Sequence, residues 1–171
     1  MTDLNLHKND GEDYIIINPH SAAFRFGQGF FSTTLIYQGV PLWIDDHINR
    51  LNYSLKAFNL PPVDHIKMRT RAIKWAQLKQ DEFNLMRLLV WPDKEHSSFY
   101  ISGEKVPLKK KPFRLAIASF RRHSSEIIYQ YKSFNYWQNL LAYEEANNKG
   151  CEDAIILNEK GEVCETSRCN I

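Results

Sequence analysis

The strongest constraint on the fold is a predicted helix that is followed at once by a β-hairpin. Asn135 has the side chain of an N-cap, and the helix that it begins is predicted to run to about Lys149. The apolar face of this helix is incomplete and consists of Trp137, Leu140, Leu141 and Ala146. Residues 154–157 predict a buried strand, residues 158–161 are typical of a turn, and residues 162–165 predict a second strand. This order of elements is typical of an α+β fold.

Two ionisable side chains stand at the two ends of this unit. Lys132 precedes the predicted helix, and Glu165 ends the predicted hairpin. Because side chains alternate along a strand, Val163 and Glu165 should share one face while Cys164 points to the other. If that face meets the start of the helix, the amine of Lys132 and the carboxylate of Glu165 can approach opposite ends of one flat ring.

An amine and a carboxylate placed in this way match two needs of pyridoxal phosphate. This cofactor takes a lysine amine on its aldehyde as a Schiff base, an acid beside its ring nitrogen, and hydrogen-bond donors on its phosphate. A lysine becomes a neutral nucleophile when desolvation or a nearby cation lowers its pKa, whereas an arginine stays charged. An anionic carboxylate such as that of Glu165 favours the protonated ring, which withdraws electrons from a carbanion.

Taken singly, both residues have a simpler interpretation. A lysine among aromatic residues more often lies on the surface with its stem along apolar groups, and a glutamate at a strand end is usually solvated. The order and the context of Lys132 and Glu165 therefore have to decide between a cofactor site and a solvated surface.

Several segments provide that context, because they resemble the class IV aminotransferase signature. The matching residues are 131–136 (YKSFNY), Glu144, Glu145, Ala146, Gly150, 153–157 (DAIIL), Gly161 and 165–171 (ETSRCNI). This signature belongs to the fold type IV pyridoxal phosphate enzymes, which include branched-chain and D-amino acid aminotransferases and 4-amino-4-deoxychorismate lyases. The resemblance implies a two-lobed α+β fold similar to that of D-amino acid aminotransferase. It also implies that Lys132 is the Schiff-base lysine, that Glu165 is the partner of the pyridine nitrogen, and that Tyr136 is the phenol that hydrogen-bonds the ring oxygen of the cofactor.

A second block of the sequence resembles the same family. Residues 24–34 (FRFGQGFFSTT) are similar to its early glycine-containing motif, and residues 46–51 (DHINRL) are similar to the segment whose arginine binds the cofactor phosphate. The resemblance therefore implies that Arg50 binds the phosphate, and a guanidinium gives paired, charge-assisted hydrogen bonds to phosphate oxygens. On its own, Arg50 would be interpreted only as a neighbour of the apolar stripe of its helix, which consists of Ile48, Leu51, Leu55 and Phe58.

The residues shared by the family do not separate its reactions. Ser32 occupies a discriminating position, because aminotransferases often have a glutamate there and lyases often have a small hydroxyl residue. We therefore predict a 4-amino-4-deoxychorismate lyase, which releases pyruvate and 4-aminobenzoate in folate biosynthesis. The alternatives are an aminotransferase of amino acid metabolism that acts on branched-chain or D-amino acids, and a catalytically silent or truncated family member. Gln28 stands in place of the usual aspartate of the family, and Ala22-Ala23 stands in place of an Arg-Gly pair.

The resemblance also bears on assembly and on the extent of the sequence. Family members are usually homodimers that act on small amino substrates, and we expect the same here. Full members continue for roughly a hundred residues beyond the equivalent of Ile171, as expected for a domain of typical size. We therefore expect a second lobe that is incomplete in this sequence, and we favour a fragment of a longer protein over a truncated product.

The remaining sequence predicts a small N-terminal α+β lobe over residues 1–120, followed by the start of the larger cofactor-binding lobe over residues 121–171. Strands are predicted near residues 14–17, 34–37, 41–44, 85–90, 98–102 and 113–118. Helices are predicted from Asp45 or Asp46 to Asn59, and from Asp64 to Lys79 with Ile66, Ile73 and Trp75 as apolar residues. The boundary is set at residues 119–125, where the strand pattern breaks.

Composition favours a cytoplasmic protein with a core of its own. The chain has 171 residues, of which 43% are hydrophobic, and contains no apolar run long enough to span a membrane. Its polar start does not resemble a secretory signal, so we expect none. Its three cysteines argue against a disulfide framework. The net charge of +2 disfavours a nucleic-acid partner despite the basic residues 109–111. The six histidines show no metal-ligand spacing, so we predict no metal.

Overall fold

Two separate main sheets organise the chain in the computed structural model, which describes residues 7–9, 12–14, 18–79, 83–105, 112–169 and 171. A short hairpin precedes both sheets and pairs β1 (His7–Asn9) with β2 (Glu12–Tyr14). The strand predicted over residues 14–17 overlaps β2 only at Tyr14, and its remaining residues lie outside the described ranges.

The first main sheet is antiparallel, with the strand order β4-β3-β5-β6. Its strands are β3 (Phe30–Tyr37), β4 (Val40–Pro41), β5 (Phe83–Asp93) and β6 (His96–Lys105). Along β3 every second side chain is buried, as the pleat of a strand requires, and this buried face includes Phe30, Ser32, Thr34 and Ile36. The strands predicted near residues 34–37, 85–90 and 98–102 are confirmed as parts of longer strands.

The strand predicted near residues 41–44 was wrong beyond Pro41. Trp43 has a left-handed backbone with φ of 49°, which a strand cannot contain, and a helix begins at the next residue. The turn between β3 and β4 consists of Gln38 and Gly39, which both have positive φ, as a tight two-residue hairpin turn requires.

Two helices, α2 (Ile44–Ala57) and α3 (His65–Gln77), pack with the first sheet around one apolar core. They follow a short helix, α1 (Ala22–Phe26), near the start of the first main sheet. In α2 the predicted stripe is confirmed, with Ile48, Leu51 and Leu55 buried and Phe58 packed at the edge of the core. The α3 helix begins after Asp64, whose carboxylate accepts a hydrogen bond from the backbone of Lys67 at 2.9 Å.

Ile66, one of the apolar residues of this predicted helix, lies outside the core and is 78% exposed. The buried residues of α3 are Met68, Ala72 and Ala76, which recur every four positions and so lie on one face. Ile66 precedes Met68 by two positions and therefore projects from the other side of the helix.

The second main sheet has the order β7-β8-β9, formed by β7 (Leu115–Arg122), β8 (Asp153–Asn158) and β9 (Val163–Thr166). β7 and β8 are parallel, so a crossover must join them, and it contains helix α4 (Trp137–Asn148). β8 and β9 form an antiparallel hairpin. The helix and hairpin predicted from the sequence are thus confirmed. No helix in the described part of the chain combines the length and the apolarity needed to cross a bilayer.

The predicted apolar face of α4 was correct at Ala146 but wrong at Trp137, Leu140 and Leu141, and the predicted cap was wrong. Trp137 is 70% exposed and Leu140 is 50% exposed, whereas the buried residues of the helix are Asn139, Ala142 and Ala146. The two alanines pack on small and branched residues of the sheet, namely Ala118, Ala154 and Ile156, so small side chains face the sheet. Tyr136, not Asn135, occupies the N-cap position, without a side-chain capping hydrogen bond.

The strand predicted near residues 113–118 is shifted along the chain and continues to Arg122. After an irregularity in register, Arg121 and Arg122 still pair with Leu157 and Asn158 of β8. All of β7 therefore belongs to the second sheet. The division of the chain into lobes at residues 120 and 121 stays a prediction.

A short segment around Lys132, just before α4, is hydrogen-bonded to the start of the first main sheet. The backbone N–H of Phe31 donates to the carbonyl of Lys132 at 2.8 Å, and the N–H of Phe134 donates to the carbonyl of Gly29 at 2.9 Å. A Cβ at Gly29 would lie 2.3 Å from the Phe134 ring, so only glycine allows this approach. The backbone of Lys132 is consequently fixed at the junction.

Candidate active site

A cavity of about 370 Å³ lies at this junction, a volume typical of small-molecule sites. All four residues predicted to bind the cofactor line it: Arg50, Lys132, Tyr136 and Glu165. They are supplied by α2, by the segment that precedes α4, by the start of α4 and by β9. Further lining residues are Phe31, Tyr53, Arg122, Tyr129, Tyr131 and Asn139.

Lys132 is half-buried and is positioned by its backbone rather than by its side chain. Its carbonyl is bonded to β3 through Phe31, and its amine lies 5.8 Å from the centre of the Phe31 ring. The next residue, Ser133, is buried and forms a bridge with Phe30. The flexible lysine side chain therefore starts from a fixed point and ends in the cavity.

Glu165 reaches the cavity from β9 and is held by two polar partners. Its Oε1 atom accepts a hydrogen bond from Arg122 Nη1 in an ion pair and lies 3.5 Å from Asn139 Nδ2, which donates to it. Arg122 Nη2 in turn donates to Asn139 Oδ1 at 2.5 Å. The Arg122 side chain is only 8% exposed, whereas that of Glu165 is 31% exposed. Arg122 and Asn139 thus hold the carboxylate in place, while Glu165 stays partly exposed to the cavity.

The prediction that Val163 and Glu165 share one face relied on an uninterrupted alternation in β9. The register of the hairpin shifts between the pairs that contain these two residues, so that alternation is broken. Glu165 lines the cavity, while Val163 is exposed.

Tyr136 stands beside Phe31, with the two rings edge to face at 5.1 Å between centroids. Its hydroxyl donates a hydrogen bond to the carbonyl of Ser167 at 2.8 Å. Burial, reinforced by the charge of Glu165, raises the pKa of the Tyr136 phenol. The phenol therefore keeps its proton at neutral pH and can act in the cavity as a neutral hydrogen-bonding group.

Arg50 reaches the cavity from the middle of α2. Its Nη2 atom donates to the hydroxyl of Ser32 at 2.5 Å and lies 3.3 Å from His47 Nδ1. Ser32 is fully buried on β3, so the guanidinium is attached to the first sheet by this contact. Burial lowers the pKa of Arg50, yet a guanidinium stays charged at any pH that the protein experiences.

Three polar residues of this region were not predicted as site residues. Arg122 stands in a stretch that was interpreted as a break between lobes, and Asn139 stands in a helix whose apolar face was placed elsewhere. Asn139 carries a signal that could have identified it, because it shares the spacing of Ala142 and Ala146 on the buried stripe. His47 contacts both Ser32 and Arg50, and only the fold brings it to Ser32.

Comparisons with known proteins identify the family of the chain. The profile of the family described as Amino-transferase class IV matches residues 29–171. The aminodeoxychorismate lyase of Bacillus subtilis (strain 168) is 25% identical over 175 residues, which cover 91% of this chain and 58% of that protein. The chain thus spans about three fifths of the length of this relative.

Solved structures show the same fold. The branched-chain aminotransferase of Thermoproteus uzoniensis, solved with norvaline, superposes with a TM-score of 0.78 at 24% identity, over 92% of this chain and 61% of that one. An aminotransferase of Brucella abortus bound to the cofactor PLP superposes with a TM-score of 0.76 at 24% identity, over 92% and 63% of the two chains. The predicted fold type IV architecture is confirmed, with the second lobe present in part. The chain belongs to the class IV aminotransferase family.

Proposed function

We propose that this chain forms the cofactor-binding part of a pyridoxal phosphate enzyme. In this proposal Lys132 binds the cofactor aldehyde, Glu165 faces the ring nitrogen, Tyr136 hydrogen-bonds the ring oxygen and Arg50 binds the phosphate. The observation that carries the proposal is the convergence of these four side chains on one cavity from distant positions in the sequence. An amine, a carboxylate, a phenol and a guanidinium are the chemical groups that this cofactor needs.

Pyridoxal phosphate, when bound, supplies an electron sink for a developing carbanion. The chain itself has to bind, orient and move protons. The Lys132 amine is the group that can move a proton at the reacting carbon, because no other aliphatic amine is among the described residues that line the cavity. Tyr136 retains its proton and orients the ring, while Arg122 and Asn139 hold the Glu165 carboxylate in place.

The reaction proposed is that of a 4-amino-4-deoxychorismate lyase, which yields pyruvate and 4-aminobenzoate. Support comes from Ser32, a small hydroxyl residue at the discriminating position, and from the similarity to the lyase of Bacillus subtilis. Ser32 is uncharged and contacts Arg50, so it leaves the positive charge of that residue available to an anionic ligand. An anionic substrate and an anionic phosphate both benefit from that charge. A homodimeric state and a cytoplasmic location remain predictions.

Cofactor binding is the first test. The purified protein is titrated with pyridoxal phosphate, and the absorbance band of the lysine-bound cofactor is followed in the wild type, in Lys132→Ala and in the control Lys149→Ala. Lys149 is exposed beyond the end of α4 and does not line the cavity. We expect the band in the wild type and in the control, and its loss in Lys132→Ala. A wild type that binds no pyridoxal phosphate would refute the enzyme proposal and favour a silent family member.

Product analysis then separates the reactions. The cofactor-loaded protein is given aminodeoxychorismate in one assay, and an amino acid with a 2-oxoacid in another. The proposal predicts pyruvate and 4-aminobenzoate in the first assay. A new amino acid in the second assay, without pyruvate in the first, would identify an aminotransferase instead.

A further inference from the structure

Behind Arg50 lies a small polar cluster that the proposed function does not use. Ser32 Oγ is 2.6 Å from His47 Nδ1 and accepts a hydrogen bond from Arg50 Nη2 at 2.5 Å. His47 and Arg50 lie three residues apart on α2 and so project from the same side of the helix. Ser32 is the third residue of β3 and lies opposite Leu88 of β5. The cluster therefore connects an exposed arginine of the cavity to the buried centre of the first sheet.

The donors and acceptors in this cluster allow one consistent arrangement. A guanidinium has only donors, so the contact between Arg50 and Ser32 uses a lone pair of the serine oxygen. The serine proton is then available to His47, which can accept it only if Nδ1 carries no proton. Arg50 Nη2 also lies 3.3 Å from the same Nδ1 atom, and an N–H there would face a second donor. The neutral ring with its proton on Nε2 satisfies every contact.

We propose that Ser32 and His47 are positioning residues that hold the Arg50 guanidinium at the cavity for an anionic ligand. His47, as a neutral acceptor, orients the Ser32 hydroxyl, and the Ser32 oxygen then fixes one nitrogen of Arg50. The inference rests on the proposed role of Arg50 in binding the phosphate of pyridoxal phosphate. It adds to that role a chain of two hydrogen bonds that sets the direction of the guanidinium before the ligand arrives.

The charges around His47 agree with a neutral ring. Burial, followed by the positive charge of Arg50, lowers the pKa of His47, and Lys132 acts in the same direction. Asp46 on the same helix opposes these effects and is outweighed. At neutral pH the imidazole is thus the acceptor that the geometry requires.

The test combines ligand affinity with a direct measurement of the imidazole. Dissociation constants for pyridoxal phosphate, inorganic phosphate and pyridoxal are measured for the wild type, Ser32→Ala, His47→Leu and His47→Asn. Asparagine places an amide oxygen close to the position of Nδ1 and should restore the acceptor. The matched control is Thr34→Val, which removes another buried hydroxyl from the same face of β3, one that donates to the carbonyl of Leu42 at 2.5 Å. ¹⁵N NMR of the histidine rings reports which nitrogen of His47 is protonated.

Ser32→Ala and His47→Leu should weaken binding of pyridoxal phosphate and phosphate roughly tenfold, the effect of losing one good hydrogen bond to a charged group. His47→Asn should bind within about twofold of the wild type because it keeps a hydrogen-bond acceptor for Ser32. Thr34→Val should do the same because it leaves both hydrogen bonds from His47 to Arg50 intact. Binding of pyridoxal, which has no phosphate, should be the same in all five proteins. The NMR spectrum of the wild type should show an unprotonated Nδ1 atom on His47.

Two results would overturn the inference: a His47 ring with its proton on Nδ1, or a Ser32→Ala protein that binds phosphate as tightly as the wild type. Other results would refute the proposed function rather than this inference. A wild type that binds inorganic phosphate in a Ser32-dependent way, but not pyridoxal phosphate, refutes the proposed cofactor. It supports the role of Ser32 and His47 in positioning Arg50. A wild type that binds neither ligand refutes both.

Discussion

Arg122 and Glu165 form an ion pair that links the two outer strands of the second sheet, β7 and β9, below the cavity. The arginine is nearly buried, and its Nε atom has no hydrogen-bond partner among the described residues. The carboxylate and Asn139 are therefore the groups that compensate its charge and its donors. The ion pair therefore positions Glu165, which we propose faces the ring nitrogen of pyridoxal phosphate.

Replacing Glu165 should destabilise the protein as well as impair cofactor binding. Glu165→Gln leaves the buried Arg122 without its counter-charge, which costs several kcal/mol in a fully buried pair and less here because Glu165 is partly exposed. We expect a loss of about 2 kcal/mol in the free energy of unfolding, measured by urea denaturation. Glu104→Gln breaks an exposed pair with Arg87 and should cost less than about 0.5 kcal/mol. Equal losses in both variants would contradict a structural role for the Arg122 pair.

Adding one methyl group at Gly29 should disrupt the junction at Lys132. The new Cβ of Gly29→Ala would lie within 2.8 Å of three atoms of the Phe134 ring, so the ring or the backbone has to move. We expect a loss of about 1–3 kcal/mol in the free energy of unfolding, as for other overpacked sites.

A second substitution provides the control for this clash. Phe134→Ala removes the ring that the added methyl group would contact, so the double variant should lose less stability than the sum of the two single losses. Strictly additive losses would show that the Phe134 ring is not what excludes a side chain at position 29.

Acid should weaken the fold in part through His47. Its pKa in the folded protein lies below the ordinary value of 6.5, so below that pH the unfolded chain binds more protons than the folded chain. The stability that depends on a neutral His47 is present above pH 6.5 and is lost as the pH falls toward the folded pKa. His47→Asn has no proton to bind, so its melting temperature should fall less than that of the wild type in this range. Parallel curves for the two proteins would contradict the assignment.

The buried face of α4 should tolerate less change than its large exposed residues. Ala146→Leu forces a larger side chain against Ala118 and Ala154 and should cost about 1–3 kcal/mol. Leu140→Ala, at a half-exposed position, should cost less than about 1 kcal/mol in thermal or urea unfolding. A reversed order would mean that the leucine side of the helix is the packed one.

Local patterns in the sequence were sufficient to predict most elements. The spacing of apolar residues predicted α2, Asp64 predicted the start of α3, and the turn at residues 158–161 predicted the hairpin of β8 and β9. These features depend on neighbours in the sequence, which is why they could be predicted. Family resemblance supplied Arg50, Lys132, Tyr136 and Glu165, which the fold then brings to one cavity.

The features that were missed depend on contacts between distant segments. Small residues of β7 and β8 select the alanines of α4 rather than Trp137 and Leu140 as its packed face. Arg122 becomes a site residue only because parallel pairing extends β7 past the predicted boundary. His47 gains its role from Ser32, a residue on another element. No periodicity in the sequence encodes such pairings.

The most direct test of the central claim is to trap the cofactor on its lysine. The purified protein is incubated with pyridoxal phosphate, reduced with borohydride and digested, and the peptides are analysed by mass spectrometry. We expect one dominant reduced pyridoxyl phosphate adduct, on Lys132, that is abolished in Lys132→Ala and retained in Lys149→Ala. An adduct spread over exposed lysines, or unchanged in Lys132→Ala, would contradict it.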